Sequence, residues 1–370
     1  MHELPKELLF PLRTISGAGT LSRLISECLA FGARGMIVHG RSFAQSGALA
    51  RLLATGPDDQ TICVWRHPGG EPTIDQLEDL LSAARGHGAA WIAAVGGGSV
   101  MDVAKAAAGL LDAPLPALDY HDGEPIEASA VPFIAVPTTA GTGSEATTVS
   151  VLTNSAACMK RSIRHPSFMA RCVILDSDLL RGCPAPVIAS AGMDALTQAI
   201  ESFTSRHATW FSDVVALKAV EMINTALPAV YENEGNREAA AALLEGSYLA
   251  GISLSNARLG VVHGLAHPLG VRYHQPHGVV CSVCLLPALN FNRAAMGAKY
   301  DALAAVLGAD PVTRVAALME AMKIVSPFAG QDIIDRDGIV RETLASGSTA
   351  ANPRSVTEAD VEELLSEIFG

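Results

Sequence analysis

The chain has 370 residues, room for two domains with separate cores, and its 49% hydrophobic and 17% charged content describes a compact globule. A net charge of −12 argues against nucleic acid or an anionic membrane as partner, since both select basic surfaces. The opening MHELPKELLFPL lacks the basic start and apolar core of a secretory signal, and no uninterrupted apolar run reads as long enough for a bilayer. Seven cysteines scattered along the chain make no disulfide framework, which points to a reducing, cytoplasmic setting. Cys281 and Cys284 have CxxC spacing but no second pair to complete a zinc site. In VVCSVCLLPAL both read as buried apolar side chains.

In chain order, strand-length apolar runs fall at 35–38, 91–95, 133–136 and 172–175. Between them, residues 47–55 and 74–87 space their apolar positions three and four apart, as helices do. Runs apolar on both faces and separated by helices predict a parallel sheet covered on both sides. After about Pro184 the strand signals stop. Helical patterns are expected at 187–204, 212–231, 236–255 and 294–307, and a closing helix at 357–369 with Thr357 as N-cap. The expected fold class is α/β: a parallel-sheet domain over 1–180, then an all-helical domain over 181–370.

Two glycine signatures mark the first domain. Gly96-Gly97-Gly98-Ser99 follows a strand and opens a helix whose first residues include Asp102, an arrangement suited to a diphosphate at a helix N-terminus. It is neither GxGxxG nor GxxxxGK[ST]. Pro137-Thr138-Thr139-Ala140-Gly141-Thr142-Gly143-Ser144-Glu145 follows another strand; its hydroxyls can bond ribose or phosphate while the glycines clear space. Both signatures at one sheet edge suit a nucleotide cleft. In the second domain, HGLAHPLGVRYHQPHG carries His263, His267 and His277 at spacings a metal site needs. Its flanks are too apolar for a His-rich surface turn, and buried imidazoles require partners. Upstream, Asp194 and Gln198 lie one helical turn apart.

GGGSVMDVAK, PTTAGTGSE, GMDALTQAIES and HGLAHPLGVRYHQPHG stand in the order and spacing of the iron-containing (group III) alcohol dehydrogenases, and ANPRSVTEADVEELL resembles that family's C-terminus. The resemblance spans essentially the whole chain. It implies a Rossmann-like domain followed by a helical one (a dehydroquinate synthase-like fold), a homodimer, and hydride transfer between NAD or NADP and a small alcohol or aldehyde. It further implies a divalent metal, iron or zinc, held by Asp194, His263 and His277, with His267 as proton relay. At the fourth ligand position, where the family typically has His, this chain has Gln198, a harder and weaker donor. Gly97, Gly98, Ser99, Asp102, Thr138, Thr139 and Thr142 would hold the cofactor, and Lys160 its nicotinamide ribose. NAD-preferring members carry an Asp where this chain has Gly40; without that carboxylate, and with Ser42 and Arg41 beside it, NADP is favoured. Rival readings are a maleylacetate reductase, which the presence of Asp194 opposes, a dehydroquinate synthase-type lyase, and a degenerate member that binds nucleotide without turnover. The substrate pocket is not marked by any motif; Tyr120, Phe203, Arg272 and Tyr273 are candidates by nearness alone.

Overall fold

The computed structural model describes residues 5–56, 61–127, 131–157 and 159–370. They form two compact units. The α/β unit comprises Leu9–Thr139 and Ser144–Arg181; the helical unit comprises residues 5–8, Ala140–Gly143 and Gly182–Gly370.

In the α/β unit the strands are β1 (Thr14–Ser16), β2 (Gly35–His39), β3 (Ile62–Arg66), β4 (Ile92–Gly96), β5 (Phe133–Pro137), β6 (Val149–Asn154), β7 (Met159–Arg164) and β8 (Cys172–Leu175). Six of them make an all-parallel sheet in the order β1-β8-β5-β4-β2-β3. The central strands β2, β4, β5 and β8 are buried throughout, so they read as continuous apolar runs. Ile37, Ala93, Val95, Ile134, Val136 and Ile174, every second residue, face one core with Leu24, Cys28 and Phe43. Three strand features escape the sequence pattern. β3 is an edge strand with a half-exposed side, β1 is three residues long, and β6 and β7 form a polar antiparallel hairpin. The helix expected over 47–55 is Ala48–Leu53, and a second short helix, Arg41–Gln45, precedes it across Gly47, whose φ is +72°.

The chain leaves β2 toward β3 on one side and β4 toward β5 on the other, which puts the topological switch point between β2 and β4. Pairing of His39 with Val95 and of Gly96 with Pro137 brings the ends of β2, β4 and β5 to one carboxyl edge. Ligands of such sheets bind at this place.

Among the described residues the helical unit contains no strand. Its long helices are Ala185–Thr204, Trp210–Glu232, Arg237–Ala257, Val261–Tyr273 and His277–Met296, followed by four shorter ones to Phe369. The helix expected over 294–307 is two: one ends at Met296, the next begins at Ala298, and Gly297 (φ +52°) turns between them. The closing helix starts as expected, with Thr357 and Asp360 in a reciprocal capping box. Trp210–Glu232, His277–Met296 and Ala298–Ala321 reach the length and mean hydropathy of a bilayer span, which corrects the expectation that no run does. Their apolar side chains build the core of the unit instead; Ala216, Val220, Ile223, Val280 and Leu285 are all buried.

Ala140–Gly143 lies in sequence just after β5 yet packs within the helical unit. A Cβ on Gly141 would stand 2.8 Å from that of Ala191, and one on Gly143 2.6 Å from the Cα of Gly251. These glycines clear space for helix backbone. Gly143 also has φ +58°, so Gly143→Ala combines a backbone clash with a left-handed residue. We expect it to lower stability by more than about 3 kcal/mol in denaturant unfolding. Gly182→Ala, at φ +78° with open space around it, should cost only about 1–2 kcal/mol. Equal effects of the two would refute the packing argument.

Candidate metal centre and cofactor cradle

The metal-site side chains come from three helices of one unit. Ala185–Thr204 presents Asp194, Gln198 and Glu201 at i, i+4 and i+7, one face over two turns, and all three are buried. Val261–Tyr273 carries His263 in its first turn and His267 one turn on. His277 is the first residue of His277–Met296, and Cys281 follows it by one turn on the same face.

Asp194, His263, His277 and Cys281 bring one ligand atom each to within 4.8 Å of all the others. The Asp194 Oδ1 atom is 3.4 Å from His263 Nε2 and 3.9 Å from His277 Nε2. The ring of His267 lies 5.4 Å from that of His277, beside the cluster and not in it. Sequence reasoning missed Cys281 because its neighbours are apolar; the signal was its i+4 spacing from His277.

Glu201 was also missed, although it stands two turns from Asp194 in the same motif. Its Oε2 is 2.6 Å from His263 Nδ1, and its Oε1 accepts the Val262 backbone N–H at 2.7 Å. One carboxylate thereby satisfies an orphan donor at a helix N-terminus and receives the Nδ1–H of the imidazole. With Nδ1 as donor to Glu201, Nε2 faces Asp194 and Cys281. A metal would bind there by displacing the Nε2 proton.

Electrostatics in the cluster follow from burial and neighbours. Burial alone would push the Asp194 carboxyl up; the His263 and His277 rings and the Gln198 amide outweigh it and hold it below the usual carboxylate range. Burial would likewise depress His263, but Cys281, Asp194 and Glu201 raise it well above the usual imidazole range. Burial pushes the Cys281 thiol up to about 12, so it keeps its proton unless a cation displaces it. Asp194 Oδ1 and Gln198 Oε1 are buried without a hydrogen-bond partner. Orphaned buried acceptors are costly, and a divalent cation among a carboxylate and two imidazoles would satisfy Asp194 Oδ1. The residues fit a metal.

The four pocket candidates have other partners. Arg272 pairs with Asp335 (2.5 Å) and Glu342 (2.6 Å), and the Tyr273 hydroxyl bonds the backbone of Asp332 and Ile334. The hydroxyl of buried Tyr120 accepts the Leu115 N–H, and buried Phe203 lies under the Lys299 ammonium.

In the α/β unit, Gly97 caps the Gly98–Leu110 helix at the carboxyl end of β4, with Ser99 in its first turn and Thr138 and Thr139 just after β5. A Cβ on Gly97 would come within 3.1 Å of Thr139 Oγ1, so the bare backbone keeps this corner open. Gly40 follows β2 at the same edge, and Arg41 and Ser42 are exposed. Thr142 falls in the segment that packs within the helical unit. Lys160 pairs with Glu71 at 2.6 Å.

Asp102 accepts from Ser144 Oγ (2.5 Å) and the Val151 N–H (3.0 Å), so it ties the cradle helix to the chain beyond β5. Lys105, fully buried, reinforces that tie. Its Nζ lies 2.6 to 2.8 Å from Ser144 O, Ser144 Oγ, Thr147 Oγ1 and Val149 O. Burial pulls the Lys105 ammonium down to about 8, against the pull of Asp102 and Glu145. Buried Glu145 is pushed up to about 7, and its Oε1 has no hydrogen-bond partner.

Residues 11–177 match the model of the iron-containing alcohol dehydrogenases, and residues 188–369 match the C-terminal model of the Fe-containing alcohol dehydrogenase family. The chain belongs to the iron-containing alcohol dehydrogenase family. It is 31% identical to a probable alcohol dehydrogenase of Escherichia coli over 96% of this chain and 88% of that one. It is 31% identical to the Escherichia coli lactaldehyde reductase, over 94% and 95% respectively. A solved 1,3-propanediol oxidoreductase superposes with a TM-score of 0.91 at 27% identity, covering 98% of this chain and 99% of that one. The NAD+ complex of sulfoacetaldehyde reductase from Bifidobacterium kashiwanohense gives 0.91 at 26%, covering 99% of each. Like the family, this protein is a metal-dependent, NAD(P)-linked oxidoreductase of small alcohols and aldehydes.

Two outcomes test this geometry. Glu201→Ala should weaken metal binding by about 10–100-fold, with Glu201→Gln, which keeps an acceptor, losing less; equal metal affinity in apo-protein titrations of all three would dismiss Glu201 as an orienting group. Glu145 holds its proton to about pH 7 in the folded chain against 4.5 for its ordinary value. Its contribution to stability is therefore full below about 4.5 and lost as pH rises through 7. Glu145→Gln should remove that loss, gaining up to about 3 kcal/mol at pH 8 and little at pH 5. Unfolding curves that differ equally at both pH values would count against it.

Proposed function

We propose that this family member reduces a small aldehyde to its alcohol, and runs the reverse oxidation, with NADP preferred over NAD, in the cytoplasm. The observation that carries the reading is the cluster of buried Asp194 and His263 with half-buried His277, with Asp194 Oδ1 orphaned and the His263 ring oriented by Glu201. When bound, the metal supplies Lewis acidity toward a carbonyl oxygen and the nicotinamide supplies the hydride. Asp194, His263 and His277 hold the metal, and Gln198 orients the cluster through Asp194. A ring nitrogen of His267 passes the proton to the product oxygen. The backbone N–H groups of Gly98 and Ser99 bind the cofactor diphosphate at a helix N-terminus, and Thr138 and Thr139 bond it from beside. We assign Asp102 to positioning this cradle, and Lys160 to its pair with Glu71. The free cysteines among the described residues support the reducing setting.

The preference for NADP rests on Gly40. Its φ of −80° is open to any residue, and a Cβ there would meet only Val100 Cγ2 at 3.7 Å. Neither backbone nor packing demands a glycine, so the lack of a carboxylate is free to serve the 2′-phosphate, with Ser42 and Arg41 exposed beside it. Gly40→Asp should shift the specificity ratio toward NAD by at least about tenfold, roughly 1.4 kcal/mol. The deciding experiment is a reductase screen of small aldehydes with NADPH and NADH, with metal analysis and with activity before and after chelation. Activity lost on chelation and restored by zinc or iron supports the reading. Full activity at zero metal content would sink it, and a strong wild-type preference for NADH would sink the NADP assignment.

A further inference from the structure

The metal-site reading leaves a donor unused. Cys281 is buried, and its Sγ points at two ring nitrogens, 3.6 Å from His277 Nε2 and 3.9 Å from His263 Nε2. Those nitrogens are in turn 3.9 and 3.4 Å from Asp194 Oδ1. A tetrahedral zinc site with bonds of about 2.0 Å to nitrogen or oxygen and about 2.3 Å to sulfur has edges of roughly 3.3–3.8 Å. The four separations match such edges within the shift a cation would draw. Filling space explains why Cys281 is buried. It does not explain why Sγ closes a ring of ligand atoms around an orphaned carboxylate oxygen.

We propose that Cys281 is the fourth protein ligand, bound through its thiolate in place of the imidazole that Gln198 does not supply, with the substrate carbonyl oxygen entering as a fifth. The proposal rests on the metal-site reading above. As the sulfur–metal bond forms, the thiol proton leaves to solvent, so the sulfur enters with a full negative charge. A thiolate makes the site softer, favouring zinc over magnesium or manganese.

The test uses the full chain, stripped of metal and reloaded with zinc or cobalt(II), as wild type, Cys281→Ser, Cys281→Ala and the Gln198→His/Cys281→Ala double variant. X-ray absorption of the zinc form should show one sulfur scatterer at about 2.3 Å. The cobalt form should show sulfur-to-metal charge-transfer absorption in the near ultraviolet. Both Cys281 variants should lose both signals and bind zinc at least about tenfold more weakly, and the double variant should regain affinity without regaining sulfur. Circular dichroism of the metal-free variants separates lost ligation from lost folding, and Cys281→Ser, nearly the same size as the parent, guards against a packing defect. Stoichiometric metal without sulfur scattering, and unchanged affinity in the Cys281 variants, would overturn the Cys281 assignment while leaving Asp194, His263 and His277 in place. A wild type that binds no metal would overturn both.

Discussion

A carboxylate taken out of water costs several kcal/mol unless each oxygen finds a partner, and Glu201 finds two that serve different ends. One oxygen closes the N-terminus of Val261–Tyr273 at Val262, where unpaired N–H groups and the helix dipole favour negative charge. The other receives His263 Nδ1. The start of a helix and the ring orientation of its first histidine are thus fixed by one side chain on another helix. Even the residue before that helix fits this demand: a Cβ on Gly260 would sit 2.7 Å from Glu201 Oε1. Asp194 lies seven residues earlier on the same helix as Glu201, about 10 Å along its axis. The helix therefore sets how far the ligand carboxylate stands from the orienting one.

The α/β unit handles a buried charge differently. The Lys105 ammonium has acceptors for every proton it carries, drawn from Ser144, Thr147 and Val149. A saturated ammonium of this kind is an anchor, and what it anchors is the helix that opens at the glycine cradle. Asp194 and Gln198 each keep an acceptor without a hydrogen-bond partner. The contrast holds for Lys105 itself, whose contacts are closed, and not for its neighbour Glu145, whose Oε1 is also left without a partner.

The sequence made some of this legible and hid the rest for identifiable reasons. Strands buried on both faces announce themselves as apolar runs, so β2, β4, β5 and β8 stood out; β3 and β1, at the sheet's edges, need less apolar character and did not. Gly297 carried no signal in an Ala-rich stretch, so two helices read as one. The spacing of His263, His267 and His277 pointed to a cluster, because a repeat of four on a helix can be seen in one dimension. Glu201 acts on a residue 62 positions away, a relation that only the folded chain displays. Cys281 was obscured by its neighbours, since an apolar setting suits a space-filling thiol as well as a ligand. Gly141 and Gly143 were noticed, but their spacing could not say that the close approach was to helix backbone.

The placement of Ala140–Gly143 means that the helical body is not one continuous stretch of gene. Cutting the chain once, between Arg181 and Gly182, would release a set of helices without the tetrapeptide that fills the space beside Ala191 and Gly251. Recombination that exchanges the second half of this chain for that of a distant relative must therefore match a slot whose filling is encoded in the first half. Each half carries a constraint written by the other, and the two are expected to change in step at these positions.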